Sequence, residues 1–252
     1  MPFCLLFADQ TREALRAAAA DSLLVFPVGA TEQHGPHLPV ATDQLTVEYI
    51  ARAAARAAAQ QIPVVVAPTL PFGSSHHHLP FGGTMSLGTE VYYRTVFDLC
   101  ESLVSGGFRR IFILNGHGGN NELVQLVARD LALKHPVHAA AASYWVAAWD
   151  ALAAQHEQGG LPGHAGIFET SVMLALRPEL VQEPRPHRDL PAAPPAPRPY
   201  PAVRAEHHGS WQAIDGHSDS PDLADAERGK RYLGAAVDAI AAAFVDFYQS
   251  SR

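Results

Sequence analysis

Apolar residues in this chain fall into two patterns, short unbroken runs and longer stretches with helical spacing. Residues 23–28 (LLVFPV), 63–69 (PVVVAPT), 110–114 (RIFIL) and 138–144 (HAAAASY) are the short runs. Each reads as a strand covered on both faces, since a half-exposed strand would alternate apolar and polar positions. The second run is rich in β-branched residues, which suits a pleated surface. Residues 45–60 predict a helix with Thr42 or Asp43 as its N-cap. Residues 87–105 predict another, ended by Gly106-Gly107, and residues 121–134 a third. After the fourth run, residues 168–176 predict a helix stopped at Arg177-Pro178, and residues 224–248 a long amphipathic one. Unbroken apolar strands alternating with helices predict an α/β fold: a three-layer α/β/α arrangement around a mostly parallel central sheet.

Composition narrows the picture. The 252 residues are 48% hydrophobic, enough for one substantial core, and we read 1–252 as a single domain. Residues 184–201 (PRPHRDLPAAPPAPRPYP) are too rich in proline for an interior strand or helix and read as a surface excursion. The net charge is −7, with only 18 lysines and arginines and no basic stripe, which argues against nucleic acid or an anionic membrane as a partner. No run approaches the roughly 20 apolar residues of a membrane span, and the N-terminus lacks a secretory signal pattern. Cys4 and Cys100 stand far apart without CxxC spacing, so a reducing cytoplasm is expected. The 14 histidines are the one unusual feature.

Those histidines gather where the fold class places chemistry. In open α/β sheets the active site lies at the carboxyl ends of the strands. Glu32 and His34 follow the first strand, and Asp43 opens the next helix. The loop GSSHHHLPFGGT follows the second strand, His117 the third within NGHGGN, and His164 and Glu169 the fourth within GHAGIFETS. Carboxylates mixed with imidazoles suit Zn²⁺, Mn²⁺ or a similar cation. Glu32, His34, Asp43, His117 and Glu169 are too many for one open zinc. They fit two ions about 3.5–4 Å apart sharing a bridging Asp43, an arrangement able to hold a hydroxide at neutral pH and polarise a carbonyl.

PVGATEQHGPHLP with Thr42-Asp43, then FGGTMSL, NGHGGN and GHAGIFETS, in that order, resemble the creatininase family of metal-dependent amidohydrolases. The resemblance extends to SPDLADAERGKRYL near the terminal helix. It implies a creatininase-like fold and two divalent ions, Zn and/or Mn. Glu32, Asp43 and His117 would hold one ion, and His34, Asp43 and Glu169 the other. It implies hydrolysis of a C–N bond in a small amide, cyclic amide or formamide by metal-bound hydroxide, with Glu169 and His164 at the reacting centre. His164 would give a proton to the leaving nitrogen or orient the substrate. It also implies a homo-oligomer, a hexamer built from dimers. Two features depart from creatininase itself: Gly119 stands where that enzyme has an acidic residue, and the flap 157–162 (EQGGLP) has no aromatic. The GHGGN form recurs among relatives that hydrolyse formamides or trim a peptide in redox-cofactor maturation of the mycofactocin type.

Competing readings stand beside these. Glu32, His34 and Asp43 could be a polar loop with a helix cap, and NGHGGN a turn that binds phosphate through backbone N–H groups. A peptidase acting on a small precursor and a non-catalytic metal-bearing scaffold are the other functional classes. Three adjacent histidines in an extended loop cannot all face one ion, so His78, with Ser75, is expected to line the substrate pocket. Gly118 and Gly119 would let a ligand approach closely. His37 is expected behind the ligands or toward the substrate, or else as a plain loop histidine. His207 and His208 read as a solvated or interface loop, and Trp145, Trp149 and Trp211 as core or subunit contacts.

Overall fold

The computed structural model describes residues 3–156, 161–189 and 207–251. Its elements follow the order β1 (Cys4–Leu6), α1 (Arg12–Ala18), β2 (Leu23–Val28), α2 (Thr42–Ala58), β3 (Val64–Val66), α3 (Thr89–Ser105), β4 (Arg110–Asn115), α4 (Asn121–Lys134) and β5 (His138–Ser143). Then come α5 (Tyr144–Ala147), α6 (Trp149–Ala153), α7 (Ile167–Leu176), α8 (Ser210–Ala213) and α9 (Ala226–Ser250). The five strands form one sheet in the order β1-β3-β2-β4-β5, with every pair parallel. Strand β1 and helix α1 were not expected from the sequence. The three-residue β1 is an edge strand paired to one neighbour, too short to show a hydrophobic period.

Side chains alternate between the two faces of the sheet, as strand geometry requires. Leu23 and Val25 of β2, Val64 and Val66 of β3, and Phe112 and Leu114 of β4 pack against α2, α7 and α9. Leu24 and Phe26, Val65, and Ile111 and Ile113 pack on the opposite face against α3 and α4. Two separate apolar clusters result, one on each side, which is the three-layer arrangement. Because both faces are covered, the strands have no polar positions to alternate with, which is why their sequence reads as unbroken apolar runs.

Thr42 and Asp43 lie inside the first turn of α2, with Ala41 preceding it and making no side-chain cap. The predicted cap is corrected accordingly. Thr42 Oγ1 donates instead to the Pro39 carbonyl at 2.7 Å, and Asp43 is left for another task. Of the Pro-rich stretch 184–201, residues 190–201 lie outside the described residues, as do 157–160 of the flap. No helix among the described residues is long and apolar enough to cross a membrane.

The chain leaves β2 toward β3 on one side and β4 toward β5 on the other. The crevice between β2 and β4 is therefore where the winding direction reverses, and it is the place in such a sheet where ligands bind.

Candidate active site with a metal-capable centre

The carboxyl ends of β2 and β4 sit side by side, with Val28 opposite Asn115. The first turn of α2 is pressed between them. A Cβ on Gly116 would lie 2.6 Å from Val47 Cβ, and one on Gly29 2.9 Å from Gln44 Cα, so only glycine permits this approach. It brings Asp43 of α2 up to Glu32 and His34 after β2 and to His117 after β4. Asn115 folds the NGHGGN turn on itself, its Nδ2 donating to the His117 carbonyl at 2.7 Å and to Ser143 Oγ at 2.8 Å. Asn120 ties the turn to the neighbouring loops, accepting from Ser74 N and donating to the Gly29 carbonyl.

On the far side, α7 carries Glu169 in its first turn. Its N-cap residue, Gly166, has no side chain to cap with. Asp219 Oδ1 fills that role, accepting from Ile167 N at 2.6 Å, and a Cβ on Gly166 would collide with the same carboxylate. Glu169 Oε2 accepts from Ala165 N at 2.6 Å, across a backbone where Ala165 has φ +50°. That is a left-handed conformation costly for alanine, held here by its surroundings.

Glu32, His34, Asp43 and His117 are between 0% and 4% exposed. Among the described residues, the ion pairs of Glu32, Asp43 and Glu169 are all with histidines. His34 Nδ1 lies 3.1 Å from the Glu32 carbonyl, an acceptor only, so the hydrogen-bond pattern assigns the proton to Nδ1. Its Nε2 lone pair then faces Asp43 Oδ1 at 3.2 Å and Glu169 Oε2 at 3.6 Å. His117 is arranged the other way round. Its Nε2 is anchored on the Ser74 carbonyl and Ser75 Oγ, each at 3.2 Å. Its Nδ1 faces Asp43 Oδ2 at 3.0 Å and Glu32 Oε1 at 3.2 Å.

A lone pair aimed at carboxylate oxygens is repulsive unless a proton or a cation lies between them. Without a cation, protons take the place. Burial lowers the pKa of His34, but Asp43 and Glu169 outweigh it and push it up to about 10. Burial likewise opposes charge on His117, yet Glu32 and Asp43 hold its pKa well above the usual imidazole range. Burial pushes Glu169 up to about 8 despite His34. Both oxygens of Glu32 and Oδ2 of Asp43 are buried without a well-aligned hydrogen bond. Buried carboxylates in that condition are costly unless they coordinate a metal. The donor set therefore fits a divalent cation of the zinc or manganese type. His34, Asp43 and Glu169 bring ligand atoms within 4.8 Å of one another, as do Glu32, His77 and His117, and Glu32, His34 and His164.

The five residues expected to hold metal are thus brought together, and His164 joins them, its Nδ1 3.7 Å from Glu32 Oε1. Ser75 and His78 are also at the site, although Ser75 bonds His117 and His78 Nδ1 faces Gln33 Nε2 at 2.9 Å. His37 stands apart, its Nε2 on Thr170 Oγ1 at 2.8 Å. Gly118 faces open space, whereas Gly119 is packed against Ser74 and His77. His207 and His208 are exposed. Two participants were missed. Gln33 sits among His78, His164 and the Gly216 carbonyl. Trp211 of α8, expected in the core or a subunit contact, lies over His78 and His164 at ring distances of 4.7 and 5.2 Å. Trp211 is 179 residues from Glu32 in the chain, and no sequence pattern links them. Gln33 lies between Glu32 and His34, but a neutral amide carries no acid–base signal in the sequence and is not a usual ligand of a zinc-type ion.

Comparison with known proteins agrees with this geometry. The family model described as Creatininase: Creatinine amidohydrolase matches residues 8–244. The mycofactocin precursor peptide peptidase of Mycobacterium tuberculosis is 35% identical over 223 residues, covering 85% of this chain and 81% of the relative. The creatinine amidohydrolase of Pseudomonas putida is 36% identical over 185 residues, covering 66% and 68%. A creatininase solved in its Mn form superposes with a TM-score of 0.78 at 28% identity, covering 97% of this chain and 98% of that one. A mutant creatininase of the Zn-Zn type superposes at 0.75, also with 28% identity, covering 97% and 98%. The matched length, the parallel sheet and the buried histidine–carboxylate cluster lead to one assignment: the chain belongs to the creatininase family.

Proposed function

We propose that this protein is a metal-dependent hydrolase that cleaves the C–N bond of a small amide. Two divalent ions, Zn²⁺ and/or Mn²⁺, would be held by its buried cluster. Glu32, Asp43 and His117 would hold one, and His34, Asp43 and Glu169 the other. The observation that carries this reading is the pair of inward lone pairs, His34 Nε2 and His117 Nδ1, each facing a different oxygen of Asp43. When bound, the ions would lower the pKa of water and polarise the substrate carbonyl.

The remaining steps belong to the chain's own residues. The Gln33 amide is oriented by Gly35 N, which donates to its Oε1 at 2.9 Å. Its two N–H bonds go to the Gly216 carbonyl at 3.1 Å and His78 Nδ1 at 2.9 Å. His164 Nε2 then donates to the Gln33 carbonyl at 3.0 Å, which leaves Nδ1 as a lone pair directed into the site. Burial, with His34 and His78 close by, keeps this imidazole neutral. In this reading His164 takes a proton from the attacking water at Nδ1 and gives it to the leaving nitrogen, or orients the substrate. Trp211 and the open space beside Gly118 form the wall and the entry for the substrate. A second reading, a peptidase that trims a small peptide precursor, is supported by the broader match to the mycofactocin precursor peptide peptidase. Family membership also supports a homo-oligomer, and the two free cysteines support a reducing cytoplasm.

Elemental analysis of freshly purified protein, followed by assays on creatinine, N-formyl amines and short peptides, tests the proposal. About two ions per chain and amide hydrolysis that EDTA abolishes and Zn²⁺ or Mn²⁺ restores are expected. Full activity after chelation would overturn it. The substrate panel separates the small-amide reading from the peptide one.

A further inference from the structure

We propose that His77 is a direct ligand of the ion held by Glu32 and His117, an assignment that rests on the two-ion reading above. His76–Phe81 is a 3₁₀ helix rather than an extended loop. At three residues per turn, successive side chains point in different directions. The three adjacent histidines accordingly divide. His76 Nδ1 bonds Ser86 Oγ at 2.7 Å in an exposed position, and His78 is held between Gln33, at its Nδ1, and Glu32 Oε1, 3.5 Å from its Nε2. His77 turns inward, where its donor atom lies within 4.8 Å of those of Glu32 and His117. Its ring is parallel to that of His117, with centroids 5.8 Å apart. His78 on one flank, at 4.2 Å, and Trp211, at 5.6 Å, fix its orientation.

Gly119 makes this approach possible. A Cβ there would lie 2.6 Å from His117 Nε2 and 3.1 Å from His77 Cε1, and would collide with the Ser74 carbonyl. No side chain at 119 can occupy the space, so the donor on this flank comes from His77. An imidazole ligand adds no negative charge to a centre that already holds three carboxylates. The ion it touches therefore keeps more positive charge for polarising an acyl oxygen than a fourth carboxylate would leave.

Zn²⁺ titration of chelator-stripped protein, with ion content read by elemental analysis, tests the assignment in the wild type, His77→Ala, His76→Ala and His34→Ala. Loss of groups that merely orient a ligand weakens metal binding by 10–100-fold, so loss of a direct ligand should weaken one of the two ions by about 100-fold or more. The expected result is that loss in His77→Ala, with the second ion unchanged, and wild-type binding in His76→Ala. Wild-type affinity for both ions in His77→Ala would overturn the assignment while leaving the two-ion reading standing. An equal loss in His76→Ala would also overturn it, because the loop fold rather than ligation would then be responsible. A wild type that binds one ion, lost in His34→Ala and kept in His77→Ala, would overturn both.

Discussion

The interior between sheet and helices and the rim at the strands' carboxyl ends are equally dry. Val25, Ile113 and Phe244 are fully buried, and so are His34 and, to within a few per cent, Glu32 and Asp43. What differs is how each region accounts for its burial. The interior gains roughly 25 cal/mol for each Å² of apolar surface removed from water and needs nothing further. The rim gains nothing of that kind. It holds three carboxylates against histidines whose lone pairs point at them, and it is stable only with protons or cations in the gaps. Depth of burial thus says little about purpose, and the chemistry of the partners says a great deal. One region supplies the stability that lets the other remain strained.

The comparison can be tested from both ends, beginning with the largest effect. Asp43→Asn is expected to lower bound metal and cut amide hydrolysis by about 10³-fold or more, roughly 4 kcal/mol of transition-state stabilisation. Its circular dichroism should stay that of the wild type, because the core does not depend on the rim. Phe244→Ala is the mirror experiment. Phe244 packs edge-on against Phe112 with centroids 5.0 Å apart. Its loss should cost about 3–5 kcal/mol in denaturant unfolding, with metal stoichiometry unchanged. A change of stoichiometry would show that the regions are not independent.

The rim should also reveal itself through pH once stripped of metal. His34 and His117 have folded pKa values above the unfolded value, so they add stability that is complete below about pH 6.5 and is lost as pH rises. Glu169, at about 8, acts in the same direction up to that pH. His37, at about 4, and His78, at about 3, are held neutral by burial and act oppositely below about 6.5. The stripped protein should therefore be most stable near pH 6.5 and lose stability toward pH 10, by about 1.4 kcal/mol per pH unit for each proton difference. Metal-loaded protein should not follow this curve, because the ions displace those protons. Thermal melts of both forms across that range make the check. The smallest effect is expected from Ser75→Ala. Removing the hydroxyl behind His117 should weaken metal binding by about 10–100-fold and leave the fold alone, as read by titration.

Much of the fold and of the candidate site was legible in the sequence. Runs such as RIFIL and PVVVAPT mark strands covered on both faces, because period and residue type are local properties. Glu32, His34, Asp43, His117 and Glu169 could be gathered at one rim because every βα loop of a parallel sheet opens on the same edge. His77 could not be separated from His76 and His78 by sequence, since that depends on the 3₁₀ turn they adopt. Asp43 could not be told from a helix cap, since both roles place a carboxylate at the same position.

The sequence by itself determined the layers, the parallel sheet and the identity of the groups that meet at its edge, because these follow from side-chain pattern and strand-to-loop connectivity. Tertiary structure alone decided which nitrogen of His117 faces inward, since that depends on the Ser74 carbonyl from another loop. It alone decided that Trp211 closes over the site and that Asp219 caps the helix bearing Glu169. Those contacts join residues dozens to well over a hundred positions apart. Their geometry comes from packing in three dimensions, and no local periodicity encodes it.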